Sequence, residues 1–179
     1  MPDERMNRPY AIIVMGVSGC GKSSVGEKLG EALHLHFVEG DGLHPAANVE
    51  KMSKGIALTD EDRMPWLDLI GERMQASLQK GEGIVVSCSA LKRIYRDRLR
   101  AAVGGKLFFV YLEGSKALLT QRMGERKGHF MPVSLLESQL ATLEAPTGEP
   151  GVVTVDIDDT IDGIATTALK GLVTLGVTA

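Results

Sequence analysis

Only two of the 179 residues are cysteine, Cys20 and Cys88. They stand far apart without metal-ligand spacing, so neither a disulfide framework nor a zinc site is expected. Charge of one sign is also lacking: 20 Lys and Arg against 23 Asp and Glu leave a net charge of -3. That excludes the broad basic field that holds a nucleic-acid backbone. It does not exclude an anionic substrate, because a site can gather its cations locally. No apolar run is long enough to cross a bilayer. The opening "MPDERMNRPY" is charged where a secretion signal would carry an apolar core. A cytoplasmic protein with no nucleic-acid or membrane partner is expected. A guanine-reading N-K-x-D, which switch GTPases need, is missing as well.

What is present is ordinary in bulk: 44% apolar and 24% charged residues, in a chain of the length of one domain, 1–179, with a sizeable core. Five short apolar runs, "YAIIVMG", "LHFVEGD", "GIVVSCS", "KLFFVYLEG" and "VVTVDI", read as strands. Continuous runs of this kind suit strands buried on both faces. Helical stretches separate them, beginning with about Lys22 to Leu33. The alternation predicts an α/β fold: a five-stranded parallel sheet with helices on both faces. One helix is expected to start at Thr59 or Asp60, with Pro65 early enough to be tolerated. "ALKRIYRDRLRAAVGG" reads as a single basic helix.

"GVSGCGKS" matches G-x-x-x-x-G-K-[ST] in full, between an apolar strand and a helix. Its glycines let backbone N–H groups curl around a phosphate, and the helix N-terminus adds partial positive charge. Gly16, Val17, Ser18, Gly19, Cys20, Gly21, Lys22 and Ser23, with Ser24 behind them, are the expected nucleotide-binding residues. Lys22 is expected to reach the β and γ phosphates and the Ser23 hydroxyl to bind Mg²⁺. The third strand ends without an acid, so the metal-side carboxylate comes from elsewhere. Glu39 and Asp41 in "VEGD" are candidates, and Glu113 is a weaker one.

Ligands of an open parallel sheet bind at the carboxyl ends of its strands. The phosphate loop, "EGDGLH" and "SCSALK" are therefore expected to lie together. A kinase for a hydroxylated substrate needs a carboxylate to orient the acceptor hydroxyl and take its proton, and Asp41 is the best placed. Arg63 and Trp66 share one helix face: the arginine suits a substrate carboxylate, and the tryptophan either walls a pocket or packs the core. Ser89 lies at a strand end. Lys92, Arg93 and Arg96 follow it, and which of them faces the pocket is open. "QRMGERKGHFMP" gathers Arg122, Arg126, Lys127 and His129 around a glycine and reads as a mobile lid.

Taken together, "MGVSGCGKSSVG", "EGDGLHPAANVEKM", "LTDEDRMPWL", "CSALKRIYRDRLR", "KGHFMPVSLLESQLATLE" and "VDID" resemble the gluconate kinase family, in order from about Tyr10 to Ile164. The resemblance implies an adenylate-kinase-like P-loop fold with a lid near 122–135, and ATP with Mg²⁺. The implied reaction is phosphorylation of D-gluconate at its 6-hydroxyl, and the implied assembly a homodimer. By similarity to the related shikimate kinases, Asp41 matches the acid that meets the acceptor and Arg63 the arginine that grips its carboxylate. Lys22, Asp41 and Arg126 are then the expected catalytic residues. His44, Trp66, Ser89, Lys92 and His129 join Asp41 and Arg63 around the substrate, Arg122 borders the nucleotide, and the segment after "VDID" borders the adenine. One position departs: Glu39 stands where the family pattern has Asp. A P-loop kinase for another small hydroxy acid, such as shikimate, is the competing reading.

Overall fold

The computed structural model describes residues 9–125 and 133–177. Five strands form one parallel sheet: β1 (Ala11–Met15), β2 (His36–Glu39), β3 (Ile84–Ser87), β4 (Leu107–Glu113) and β5 (Val152–Asp156), in the order β2-β3-β1-β4-β5. All five residues of β1 have no exposed surface. Successive side chains of a strand point to opposite faces, so helices must cover both sides of this sheet. They are α1 (Lys22–Leu33), α2 (Ala46–Ser53), α3 (Asp60–Gln79), α4 (Arg93–Val103), α5 (Lys116–Glu125), α6 (Val133–Thr142) and α7 (Ile161–Thr174). α1 packs on α7, and α3 on α4.

The strand order places β1 between β3 and β4, where the winding of the sheet reverses direction. Such a switch point opens a crevice at the carboxyl ends of the strands. Backbone bonds tie the neighbouring ends together: Cys88 N donates to Val14 O at 3.0 Å, and Gly16 N to Ser89 O at 3.3 Å. The phosphate loop, the end of β2 and the end of β3 therefore meet, as expected.

Two local expectations change. Pro65 lies inside α3, beyond its first turn, so it removes one ladder bond rather than filling a free end. And the helix after β3 begins only at Arg93. Residues 89–92 form a loop, with Ala90 in the left-handed region at φ 45. Its carbonyl accepts a 2.8 Å bond from Arg96 Nη1, and Leu91 O accepts one from Glu144 N at 2.8 Å, so bonds outside the helix ladder occupy the carbonyls of this loop.

Candidate active site

The phosphate loop runs from the end of β1 into α1. Gly16, Gly19 and Gly21 have φ of 144, 85 and 92, a region that favours glycine. A Cβ on Gly16 would stand 2.9 Å from Leu112 O, so this glycine also keeps a close approach to β4. Lys22 Nζ donates to Val17 O at 3.2 Å, across the loop. Two cavities flank it. One, of about 340 Å³, is lined by Gly19, Gly21, Ser24, Arg122, Asp159 and Thr160. It lies where the segment after β5 returns past the loop, and Arg122 Nη2 donates to Asp159 O at 3.1 Å.

The other cavity, of about 360 Å³, has Ser18 and Lys22 on one side and Asp41, His44, Arg63, Trp66 and Ser89 around it. Asp41 is set by the tight turn after β2, a 3-10 turn over Gly40–Leu43. Gly40 is held between two elements: its N–H donates to Ser87 Oγ at 3.2 Å, and its carbonyl accepts from Trp66 Nε1 at 2.9 Å. A Cβ there would fall 1.9 Å from Ser87 O, so only glycine allows β2 to end this way. Asp41 then projects with an exposed carboxylate. Trp66, 1% exposed, is both a core residue and part of the cavity lining.

His44 lies flat on Trp66, ring centroids 3.9 Å apart and 15° from parallel. Its Nδ1 is 3.2 Å from Asn48 Nδ2, an amide donor, which leaves the ring proton on Nε2, 4.0 Å from Asp41 Oδ1. Burial pushes the imidazole down to about 4, with the Arg63 charge adding to the fall and Asp41 opposing it. At neutral pH His44 is an uncharged hydrogen-bonding group.

Arg63 stands in the first turns of α3, held by a capping box between Thr59 and Asp62. Its Nε and Nη1 are buried and have no hydrogen-bond partner among the described residues. Its guanidinium carbon lies 5.3 Å from the centre of the Tyr95 ring. Unsatisfied buried donors on a cation are costly, and the residue that carries them lines the larger cavity.

The basic residues after β3 divide by surroundings. Lys92 Nζ donates to Asp60 Oδ1 at 2.8 Å, beside the Tyr95 hydroxyl that bonds the same carboxylate. Arg93 meets Asp97 on the surface at 3.6 Å. Arg96 has no exposed surface and is bound to Glu149, Glu144 O and Ala90 O. Lys92 and Arg96 therefore do not share a direction, and none of the three lines the cavity. Arg126 and His129 lie outside the described residues, as does most of the segment read as a lid.

Sequence reasoning left Ser87 and Gln139 unassigned and did not pair Glu39 with either serine. Glu39 accepts hydrogen bonds from Ser23 Oγ at 2.7 and 2.6 Å and from Ser87 Oγ at 2.6 Å. It had been one of three candidates for the metal-side carboxylate, with Asp41 and Glu113; Glu113 stays exposed at the end of β4. Ser87 left one trace in the sequence, a hydroxyl ending an otherwise apolar strand. Gln139 left none, although its Oε1 accepts from Ser18 N at 2.8 Å.

Comparison with known proteins agrees with this architecture. A family model described as an AAA domain matches residues 12–146. The chain is 50% identical to a gluconokinase of Gluconobacter oxydans over 148 residues, covering 83% of each. It is 43% identical to the thermosensitive gluconokinase of Escherichia coli over 155 residues, 86% of this chain and 82% of that one. A crystal structure of a gluconokinase from Sinorhizobium meliloti superposes with TM-score 0.87 at 55% identity, over 95% of both chains. An APS kinase from Mycobacterium tuberculosis shares the fold at TM-score 0.67 and 20% identity.

Proposed function

The chain belongs to the gluconokinase family, and we propose that it transfers the γ-phosphoryl group of ATP to the 6-hydroxyl of D-gluconate, giving 6-phospho-D-gluconate. The supporting observation within the site is Arg63. It lines a cavity that opens on the phosphate loop, and two of its guanidinium nitrogens, Nε and Nη1, are buried with no partner among the described residues, which suits a carboxylate-bearing acceptor. The polyol hydroxyls then meet Asp41, His44 and Ser89. A site built on such bonds rejects analogues lacking them, because its own polar groups would be left unpaired.

In this reading ATP lies along the phosphate loop, with Arg122 and Asp159 beside its nucleoside. Lys22 neutralises charge on the β and γ phosphates. Asp41 accepts or orients the proton of the attacking hydroxyl, and neutral His44 donates through Nε2 to a neighbouring oxygen without adding charge. Ser23 and Glu39 bring oxygen donors together, the donor type that Mg²⁺ takes. When bound there, Mg²⁺ supplies charge neutralisation between the phosphates. Glu39 in place of Asp fits: its extra methylene lets one carboxylate reach both Ser23 and Ser87. Arg126 and His129 are assigned to the lid from the sequence alone; Lys92, bonded to Asp60 and absent from the cavity lining, is not counted among the substrate contacts. The protein is further proposed to be a cytoplasmic homodimer. No helix among the described residues is long and apolar enough to cross a membrane.

The test is a coupled assay: protein, Mg·ATP and D-gluconate, with 6-phosphogluconate dehydrogenase reporting product as NADPH. A signal requiring both ATP and gluconate is expected. Turnover of shikimate or another hydroxy acid with none of gluconate overturns the reading.

A further inference from the structure

α6 reaches both the phosphate loop and the acceptor cavity. Its Gln139 Oε1 accepts the 2.8 Å bond from Ser18 N, and Gln139 lines the larger cavity together with Ser138, Lys22 and Asp41. Just past its C-terminal end Leu143 N donates to Gln139 O at 2.8 Å, and Glu144 N to Leu91 O at 2.8 Å. Arg96 Nη2 holds Glu144 O at 2.8 Å, and Glu144 Oε1 accepts from Arg93 N at 3.0 Å. The foot of α6 is thus fastened to the loop that carries Ser89, while its side chain grips the phosphate loop.

The phosphate loop itself separates the two cavities. Gly19, Gly21 and Ser24 face the cavity beside Asp159, whereas Ser18 and Lys22 face the cavity of Asp41 and Arg63. Ser18 is therefore the acceptor-side edge of the loop. Its amide is held by a side chain 121 positions away in sequence. In-line transfer requires the phosphoryl donor and the hydroxyl to be fixed within a few tenths of an ångström, and a misplacement of about 1 Å costs roughly 10²-fold in rate.

We propose that Gln139 is a positioning residue for phosphoryl transfer, setting the register between the phosphate loop and the acceptor pocket through its bond to the Ser18 amide. The proposal rests on the kinase reading above. The bond is neutral and lies on the acceptor side, so its loss shifts the loop relative to the acceptor more than it weakens nucleotide binding. A loop out of register lets water compete with the hydroxyl for the phosphoryl group. Transfer to water cleaves the same phosphorus–oxygen bond of ATP and yields ADP and inorganic phosphate instead of the phosphorylated acid.

The test compares wild type, Gln139→Met and Gln139→Glu. Methionine keeps the length and removes the acceptor oxygen; glutamate keeps an oxygen that can take the Ser18 bond. ADP and 6-phosphogluconate are counted in the same reaction, and melting temperature and the KM for ATP are recorded. Wild type is expected to give one ADP per product, which also checks the kinase reading independently of Gln139. Gln139→Met is expected to lose about 10–100-fold in kcat. Its ratio of ADP to product should rise above one, with the KM for ATP within about threefold of wild type. Gln139→Glu is expected to bring the ratio back toward one, even where its added charge keeps kcat low. A Gln139→Met enzyme with kcat and ratio within twofold of wild type overturns the proposal. So does one whose only changes are a lower melting temperature and a raised KM for ATP.

Discussion

Arg63 and Asp41 divide the work of the acceptor site by chemistry. A bidentate cation binds a carboxylate in ground and transition states alike, so its loss acts on affinity. Arg63→Ala is expected to raise the gluconate KM by about 10–100-fold, the worth of a charge-assisted hydrogen bond, and to leave the KM for ATP unchanged. Lysine at this position is not expected to restore it, because the fork is lost. Asp41→Asn is expected to act on kcat instead, by on the order of 10²–10⁴, if the carboxylate takes the proton; steady-state kinetics separate the two. His44 gives a pH signature. Its folded pKa is about 4 against 6.5 for the unfolded group. Between those values the unfolded chain holds a proton that the folded one does not. Stability from the buried neutral ring is thus complete above about pH 6.5 and is lost as pH falls toward 4. Unfolding free energies from urea titrations at pH 7 and pH 5 are expected to differ by on the order of 1–2 kcal/mol, and His44→Gln to reduce that difference.

At the scale of elements, the start of α3 carries more function than its position suggests. Thr59 Oγ1 accepts from Asp62 N at 3.1 Å, and Asp62 Oδ2 accepts from Thr59 N at 2.9 Å. Lys51 on α2 binds the same Asp62 at 2.8 Å. Lys51, and then the Thr59 amide, hold the Asp62 carboxyl down to about 2, so the cap stays ionised through the physiological range. Arg63 follows immediately, its amide bonded to Thr59 O at 3.2 Å. Thr59→Ala is expected to cost about 1 kcal/mol by denaturation. The same change should raise the gluconate KM severalfold through fraying around Arg63, with the KM for ATP unaffected. The helix and a start at Thr59 or Asp60 were legible in the sequence; the place of Pro65 beyond the first turn was not. Nor was the stretch after β3. "SALKRIYR" has the periodicity of a helix start, but Arg96 takes Ala90 O while Glu144 binds Leu91 O and Arg93 N, and its first residues form a loop.

For the whole molecule, the order β2-β3-β1-β4-β5 is what turns separate motifs into one site. It sets β2 beside β3, so Glu39 pairs in register with Ser87 and reaches back to Ser23 at the head of α1. At this scale the proposed homodimer is tested by light scattering on the purified protein. A mass near twice 19.2 kDa is expected, and a concentration-independent mass of 19.2 kDa would refute it.

The chain by itself determined the alternation of strands and helices, because buried apolar runs and amphipathic stretches differ in period. It also determined the phosphate loop, because glycines at fixed spacing before a lysine serve a purely local backbone geometry. Asp41, His44 and Arg63 were legible for the same reason, each being a polar group in a local motif at a strand or helix end. Only the tertiary structure decided which cations reach the cavity. It took Arg96 into the core against Glu149 and gave Lys92 to Asp60, because burial and partner choice depend on residues tens of positions away. It also joined Glu39 to Ser87 and Gln139 to Ser18. Hydrogen bonds across 48 and 121 positions follow from sheet order and helix packing, and no local pattern encodes them.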